Sequence, residues 1–298
     1  MEHMEPGAIK TNRINVRRAR GRIPPVIRHL SVLACFLLAI SSKATVPLTD
    51  LPNLGALNNF IEFGNQQVDN LATINGNVGV SAGGMLQLNA PATINGDISL
   101  AYPVTLMQMG LVTGVTYNDQ SLTTDQNTVI SASAALGKLA ADETISGSQT
   151  MALNFDVPAS QVEVVDLEGG LNLNNQNITL TGGGDLVLNI EDSFSLNGSA
   201  VILGDPANIY INYEGESTIT SYVANTIDGM LFDPDAAANL AGVWNGSIDA
   251  GDGTITLESG AELNPVPEPG TRDLILTGIG ALLFPVARRR FWRMRLPV

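Results

Sequence analysis

The stretch Ala72-Thr73-Ile74-Asn75-Gly76-Asn77-Val78 returns twenty residues later as Ala92-Thr93-Ile94-Asn95-Gly96-Asp97-Ile98. Leu196-Asn197-Gly198-Ser199-Ala200 and Trp244-Asn245-Gly246-Ser247-Ile248 repeat the centre of the same unit. Asn and Gly both tolerate positive φ, so each Asn-Gly pair predicts a sharp reversal between strands. One such pair is compatible with a hairpin. A tandem copy at fixed offset points instead to a solenoid of about 20 residues per coil, with each Asn-Gly at a corner.

The segment 171–220 carries the matching strand pattern. Leu171 and Leu173, Ile178 and Leu180, Leu186, Leu188 and Ile190, Phe194 and Leu196, Val201 and Leu203, and Ile209 and Ile211 alternate with other residues. Short alternating runs broken by Gly and Asn read as half-buried strands, whose inward Leu and Ile would stack coil on coil. One segment breaks the pattern. Over 123–142, Val129, Ala132, Leu136 and Leu139 fall at helical spacing in an Ala-rich stretch. Thr123 or Thr124 is the expected cap, with Asp125 near the positive end. A second, shorter helix is expected over 234–240. The fold class that follows is mainly β: a solenoid with one helix alongside, built from residues 45–265.

The two ends have a different character. Residues 1–44 hold a basic stretch with six arginines, an apolar run from Leu30 to Ile40, and the small residues of Ser42-Lys43-Ala44. That order is a secretory signal peptide, and its apolar run is short of the about 20 residues a spanning helix needs. At the other end, Val266, Pro267, Glu268, Pro269, Gly270 and Thr271 form a stiff extended element. An apolar stretch, 274–287, follows as the expected transmembrane helix, and Arg288, Arg289, Arg290, Arg293 and Arg295 close the tail at 288–295. Positive charge beside an apolar helix stays on the cytoplasmic side, so the body would lie outside an inner membrane.

The tail, 266–295, resembles the PEP-CTERM sorting signal of Gram-negative bacteria. The resemblance implies processing by exosortase, a membrane transpeptidase-like partner, and delivery to the cell surface or extracellular matrix. Arg272 and Asp273 depart from it by standing where the apolar run usually begins. The body resembles a second family. Leu54-Gly55, Asn59-Phe60, the Thr73-to-Ser81 stretch, a helix, and then Asp185-to-Ile190 with Phe194-Ser195-Leu196 follow the order of the ice-binding-like β-solenoids and related adhesin-type domains. That resemblance covers most of 51–263 and implies a right-handed β-solenoid with a helix beside it.

Charge narrows the chemistry. Within 45–271 there are 26 acidic residues and one base, Lys138, and no Arg, His or Cys. Such a body is repelled by nucleic acid, whose binding needs Lys and Arg against phosphate. It can form no disulfide, no histidine or thiolate metal site, and no Ser-His-Asp or Cys-His catalytic set. Carboxylates and oxygen-ligand cations remain. Asp233 and Asp235, and Asp249 and Asp252, place carboxylates close together on turns. Neither pair approaches the about six to eight oxygens that calcium takes, and Asp is an ordinary turn residue. No cofactor is expected beyond such weak calcium binding.

Three functions stay open. The first is an exported, non-enzymatic protein of the cell surface or exopolysaccharide matrix. The second is an ice-binding or surface-adsorbing protein, for which Thr73, Thr93, Thr179, Thr181, Thr218, Thr220, Thr254 and Thr256 are the candidates. Thr73 and Thr93 stack at the repeat offset, though threonine is also a good strand residue. The third is an enzyme on a neutral glycan, with Trp244, Tyr210, Tyr213 and Tyr222 able to stack on sugars. Aromatic residues more often pack cores, and no carboxylate pair stands out as catalytic.

Overall fold

The computed structural model describes residues 51–52, 60, 62–68 and 71–266, all within one unit, 44–298. The expected signal peptide, and the tail beyond Val266 with its Pro-Glu-Pro element and arginines, lie outside the described residues. Among the described residues no helix is long and apolar enough to cross a membrane.

The repeat does build a solenoid. Thr73 pairs with Thr93 and Ile74 with Ile94, and every pairing between strands is parallel. Each coil visits three faces. One face holds ten strands, among them Val162–Leu167, Asp185–Ile190, Met230–Asp233, Val78–Val80 and Ile98–Leu100. The helix Leu122–Leu136 packs on it, so we term it the covered face. A second holds Asn177–Thr181, Val243–Asn245, Glu262–Asn264, Thr73–Ile74 and Thr93–Ile94, with others. We term it the ladder face. The third, the open face, includes Leu171–Asn174, Phe194–Asn197, Ile219–Thr220, Ala238–Leu240, Met85–Leu88 and Thr105–Gln108. Ile248–Leu257 and Glu62–Val68 run across both the covered and the open face.

The coils are not stacked in chain order. The described chain starts in the middle, at Glu62–Val68, and winds outward to Thr116–Asn118. After the helix it resumes at Glu143–Ile145, at the opposite end, and winds back. The last long strand, Ile248–Leu257, then pairs with the first, Glu62–Val68. The helix lies along this seam, touching Ile248–Leu257, Met230–Asp233 and Ile209–Tyr213.

Inside, Leu171, Leu173, Ile178, Leu180, Leu186, Leu188, Ile190, Phe194, Leu196, Ile209 and Ile211 are buried together as their alternation predicts. A second cluster joins Val129, Ala132 and Leu136 of the helix to Phe63, Val164, Val187 and Phe232, which point out of the covered face. Both sides of that face are therefore apolar, and all six residues of Asp185–Ile190 are buried.

Four expectations need correction. Val201 and Leu203 point outward, and Ile202 is the buried residue, paired with Ile178 and Ile227. All three are apolar, so composition could not set the parity, and the register of the neighbouring coils did. The helix ends at Leu136 rather than at 142, because Gly137 begins the turn toward Glu143–Ile145. Its cap is Ser121, not Thr123 or Thr124, and the Ser121 side chain bonds Asp119 instead of the helix end. No helix forms over 234–240. Asp233 accepts the Ala236 amide at 2.9 Å to close a turn, and Ala238–Leu240 is a strand of the open face.

The corners also differ in their reason. Asn75, Asn95 and Asn245 do end strands of the ladder face, but Gly76 and Gly96 do not have positive φ. A Cβ on Gly96 would lie 2.1 Å from the Gly76 carbonyl oxygen, and one on Gly114 would lie 2.3 Å from that of Gly96. Close approach of successive coils, not a left-handed turn, demands glycine at Gly96 and Gly114. The Leu196-Asn197-Gly198 copy sits at another corner, after an open-face strand, and there Gly198 does adopt φ +65°.

Candidate functional site

Two faces are free of the helix, and their outward side chains differ. On the ladder face, one rank is a chain of amides. Asn95 donates to Asn75 at 2.8 Å, Asn75 to Asn264 at 2.8 Å, Asn264 to Asn245 at 3.2 Å, and Asn245 to Asp228 at 2.8 Å. Asp228 also accepts the Gly204 amide. These side chains spend much of their hydrogen-bonding capacity on one another. The neighbouring rank runs Asn177, Val201, Thr226, Val243, Glu262, Thr73, Thr93 and Leu111. An exposed carboxylate, Glu262, stands in its middle.

On the open face, one register position runs through eight strands: Asn172, Ser195, Thr220, Asn239, Thr256, Gln67, Gln87 and Met107. At the ordinary spacing between strands this rank is about 34 Å long. Thr218, Ala237 and Thr254 precede Thr220, Asn239 and Thr256 by two residues, Thr218 and Ala237 just ahead of their strands, and Met85 and Thr105 pair with each other. No residue named in either rank carries a charge. The side chains are short or neutral, and neighbours support one another. The Ser195 and Thr220 hydroxyls are 2.8 Å apart, and Asn197 donates to Ser195 at 3.1 Å.

One row of carboxylates stands at the border, and the exposed Glu258 follows the end of an open-face strand at Leu257. Leu167, Ile190 and Tyr213 share a register, so the exposed Glu168, Glu191 and Glu214 that follow them stack at the corner between the covered and open faces. Glu191 is raised in pKa by partial burial, then by Glu168, Asp166 and Glu214.

The threonine candidates divide. Thr73, Thr93, Thr179 and Thr181 belong to the ladder face, and Thr218, Thr220, Thr254 and Thr256 to the open face. Asn172, Ser195, Asn239 and Gln87, which complete the open rank, carry no motif that would have marked them in the sequence. Of the aromatic candidates, Trp244 and Tyr213 are core residues, Tyr210 packs in the helix cluster, and Tyr222 alone of the four is exposed. The Tyr213 hydroxyl is spent on the carbonyls of Asp192 and Ser217.

Three of the calcium candidates are described, and they differ in environment. Asp249 is buried in register with Phe232 and Phe63 and accepts from Ser247 at 2.9 Å. Asp233 is buried at its turn, and Asp235 is exposed. The Asp252 side chain lies outside the description. Burial pushes both Asp233 and Asp249 up to about 7. Among the described residues no group of three or more His, Cys, Asp or Glu is placed to hold a metal ion. A fourth carboxyl gave no signal in the sequence. Glu62 pairs with Ile248 and Val78, both core residues, and is itself fully buried with neither oxygen hydrogen-bonded. Desolvation pushes it up to about 8.

No family model matches the chain, and a search of the curated proteins gives no match. Solved structures do. An ice-binding protein from the Antarctic ascomycete Antarctomyces psychrotrophicus superposes with TM-score 0.52 at 21% identity, over 72% of this chain and 97% of that one. An ice-binding protein from an Antarctic biological consortium gives 0.51 at 16% identity, over 74% and 91%. One from an Antarctic bacterium of the Flavobacteriaceae gives 0.50 at 17% identity, over 72% of this chain but 47% of that one. At these identities the likeness establishes a shared β-solenoid fold.

Proposed function

We propose that this chain is an exported, non-enzymatic protein that adsorbs to an extended surface through its open face, and that the surface is ice. The observation that carries the reading is the uncharged rank from Asn172 to Met107, repeated at one strand spacing through eight coils. Adsorption to a neutral solid removes water from the contact. An ionised side chain resists that removal far more than an amide, hydroxyl or thioether does. In so acidic a body, a rank without carboxylates is the one able to make such a contact. The proteins that share the fold are named for binding ice, which supports ice over other solids.

Export rests on the two ends of the sequence. The leader, 1–44, would carry the chain out of the cytoplasm. The tail, 266–295, would hold it in the inner membrane, with Arg288, Arg289, Arg290 and Arg293 inside, until an exosortase-type enzyme passes it to the cell surface or exopolysaccharide matrix. Ice-recrystallisation inhibition by the purified protein tests the reading. Activity should survive Thr93→Lys on the ladder face and be lost in Asn239→Lys on the open face. Inactivity of the unmodified protein at high concentration would remove ice as the target. The reverse pattern of variants would move the site to the ladder face.

A further inference from the structure

The two ends of the solenoid are chemically unlike. One end is the coil made by Thr105–Gln108, Leu111–Val112 and Thr116–Asn118. Among the described residues each of these strands pairs on one side only, with Met85–Leu88, Thr93–Ile94 and Ile98–Leu100 respectively. Their outer edges therefore present backbone N–H and C=O groups without a strand partner, a ready template for another chain. Tyr102, Leu106, Met107, Met109, Leu111, Val115 and Tyr117 are all exposed there. That is half of the large exposed hydrophobic residues among the described ones. From Ile98 to Asn118 the sequence has no charged residue. The opposite end, built on Glu143–Ile145 and Leu153–Asp156, also has open edges but carries exposed Glu143 and Asp156.

We propose that the neutral end is a self-association surface, and that its occupant is the same end of a second copy. Charge decides between the possible arrangements. Stacking neutral end on acidic end would desolvate Glu143 and Asp156, and the body offers only Lys138 as a counter-charge. Over the carboxylate-bearing rest of the surface, two bodies this acidic repel one another. Joining like ends buries apolar side chains from both copies and no carboxylate from 98–118, with Asp119 at the border of the contact. A two-fold axis between them makes the contact self-complementary and closed, so assembly stops at a dimer. The same axis sets the edge strands of the two copies antiparallel, a geometry in which their free N–H and C=O groups pair directly.

The inference is independent of what the open face binds. It is tested by sedimentation velocity on the purified full chain and three variants. Met109 and Val115 are 63% and 65% exposed, so Met109→Glu and Val115→Glu place a carboxylate at the joint without opening the core. Met151→Glu, at a residue 70% exposed near the acidic end, is the control. The unmodified chain and Met151→Glu should sediment as dimers of the 31.3 kDa chain. Met109→Glu and Val115→Glu should weaken association by about tenfold or more, with circular dichroism unchanged. A cysteine in place of Val115, in a Cys35→Ala background, should form a disulfide-linked dimer on oxidation. A monomer at every concentration would overturn the proposal. So would species that grow past the dimer, or a dimer that ignores both glutamates or is lost in Met151→Glu.

Discussion

Asn75 donates a 2.8 Å hydrogen bond to the side-chain carbonyl of Asn264, a residue 189 positions away in the chain. The bond crosses the seam where the first described coil meets the last. It also links two pieces of one amide chain, since Asn95 donates to Asn75 and Asn264 donates to Asn245. Asn75→Ala removes a donor and an acceptor from the middle of that chain and leaves both neighbours short of a partner. It should cost about 1–3 kcal/mol. Asn95→Ala removes one of the same bonds but spares the seam, and should cost less. Urea unfolding of the two variants checks the order, and equal losses would mean the seam bond has no special weight.

Gly96 is held by its neighbour coil rather than by its own backbone. A methyl group there meets the Gly76 carbonyl oxygen at 2.1 Å, a backbone atom with little room to yield. Gly83 has φ +82° but nothing within 4 Å of its missing Cβ. Gly83→Ala should cost about 1 kcal/mol, from backbone strain alone. Gly96→Ala should cost about 2–4 kcal/mol, because coils must move apart. Thermal or urea unfolding that ranks Gly83→Ala as the worse substitution would refute the stacking argument.

Glu62 makes the seam sensitive to pH. In the unfolded chain its carboxyl ionises near 4.5, whereas burial holds the proton on to about 8 in the folded protein. Between those values the unfolded chain binds fewer protons, so stability falls as pH rises and levels off above about pH 8. Asp233 and Asp249, raised from 3.8 to about 7, act in the same direction. For Glu62 alone the loss is on the order of 5 kcal/mol. Glu62→Gln, which keeps the shape of the protonated acid, should be the more stable protein at about pH 8 and show a flatter Tm profile. Parallel profiles for the two proteins would show that Glu62 does not titrate in this window.

The sorting role proposed for the tail makes a cellular prediction. Deleting 266–298 should release the protein into the medium or leave it in the periplasm, while the solenoid keeps its fold. Cell fractionation with an antibody to the body reads the result. An unchanged distribution would show that the tail does not sort the chain.

How far the sequence reached depended on whether the signal was local. The 20-residue offset, the alternation of Leu and Ile, and the spacing of Val129, Ala132 and Leu136 each follow from short-range periodicity. The solenoid, its inward residues and its single helix were therefore legible. So was the stacking of Thr73 on Thr93. The short second helix failed for the same local reason. Asp233, Pro234 and Asp235 look alike whether they ligate, start a helix or close a turn, and the packing of Ala236 and Ala238 into the core selected the turn.

The sequence by itself determined the coil length, the inward apolar ranks, the acidity of the body and the tripartite ends. Tertiary structure decided what no stretch of chain contains. It inserted Glu62–Val68 between Ile248–Leu257 and the coil that follows it, which created the seam and buried Glu62. It turned Ile202 inward and Val201 outward. It laid the helix on one face only, which left another, assembled from eight separate coils, as a continuous uncharged rank. The physical reason is that a solenoid face is made across coils, one or two residues from each. Its chemistry is set by register between strands distant in sequence, which local periodicity does not encode.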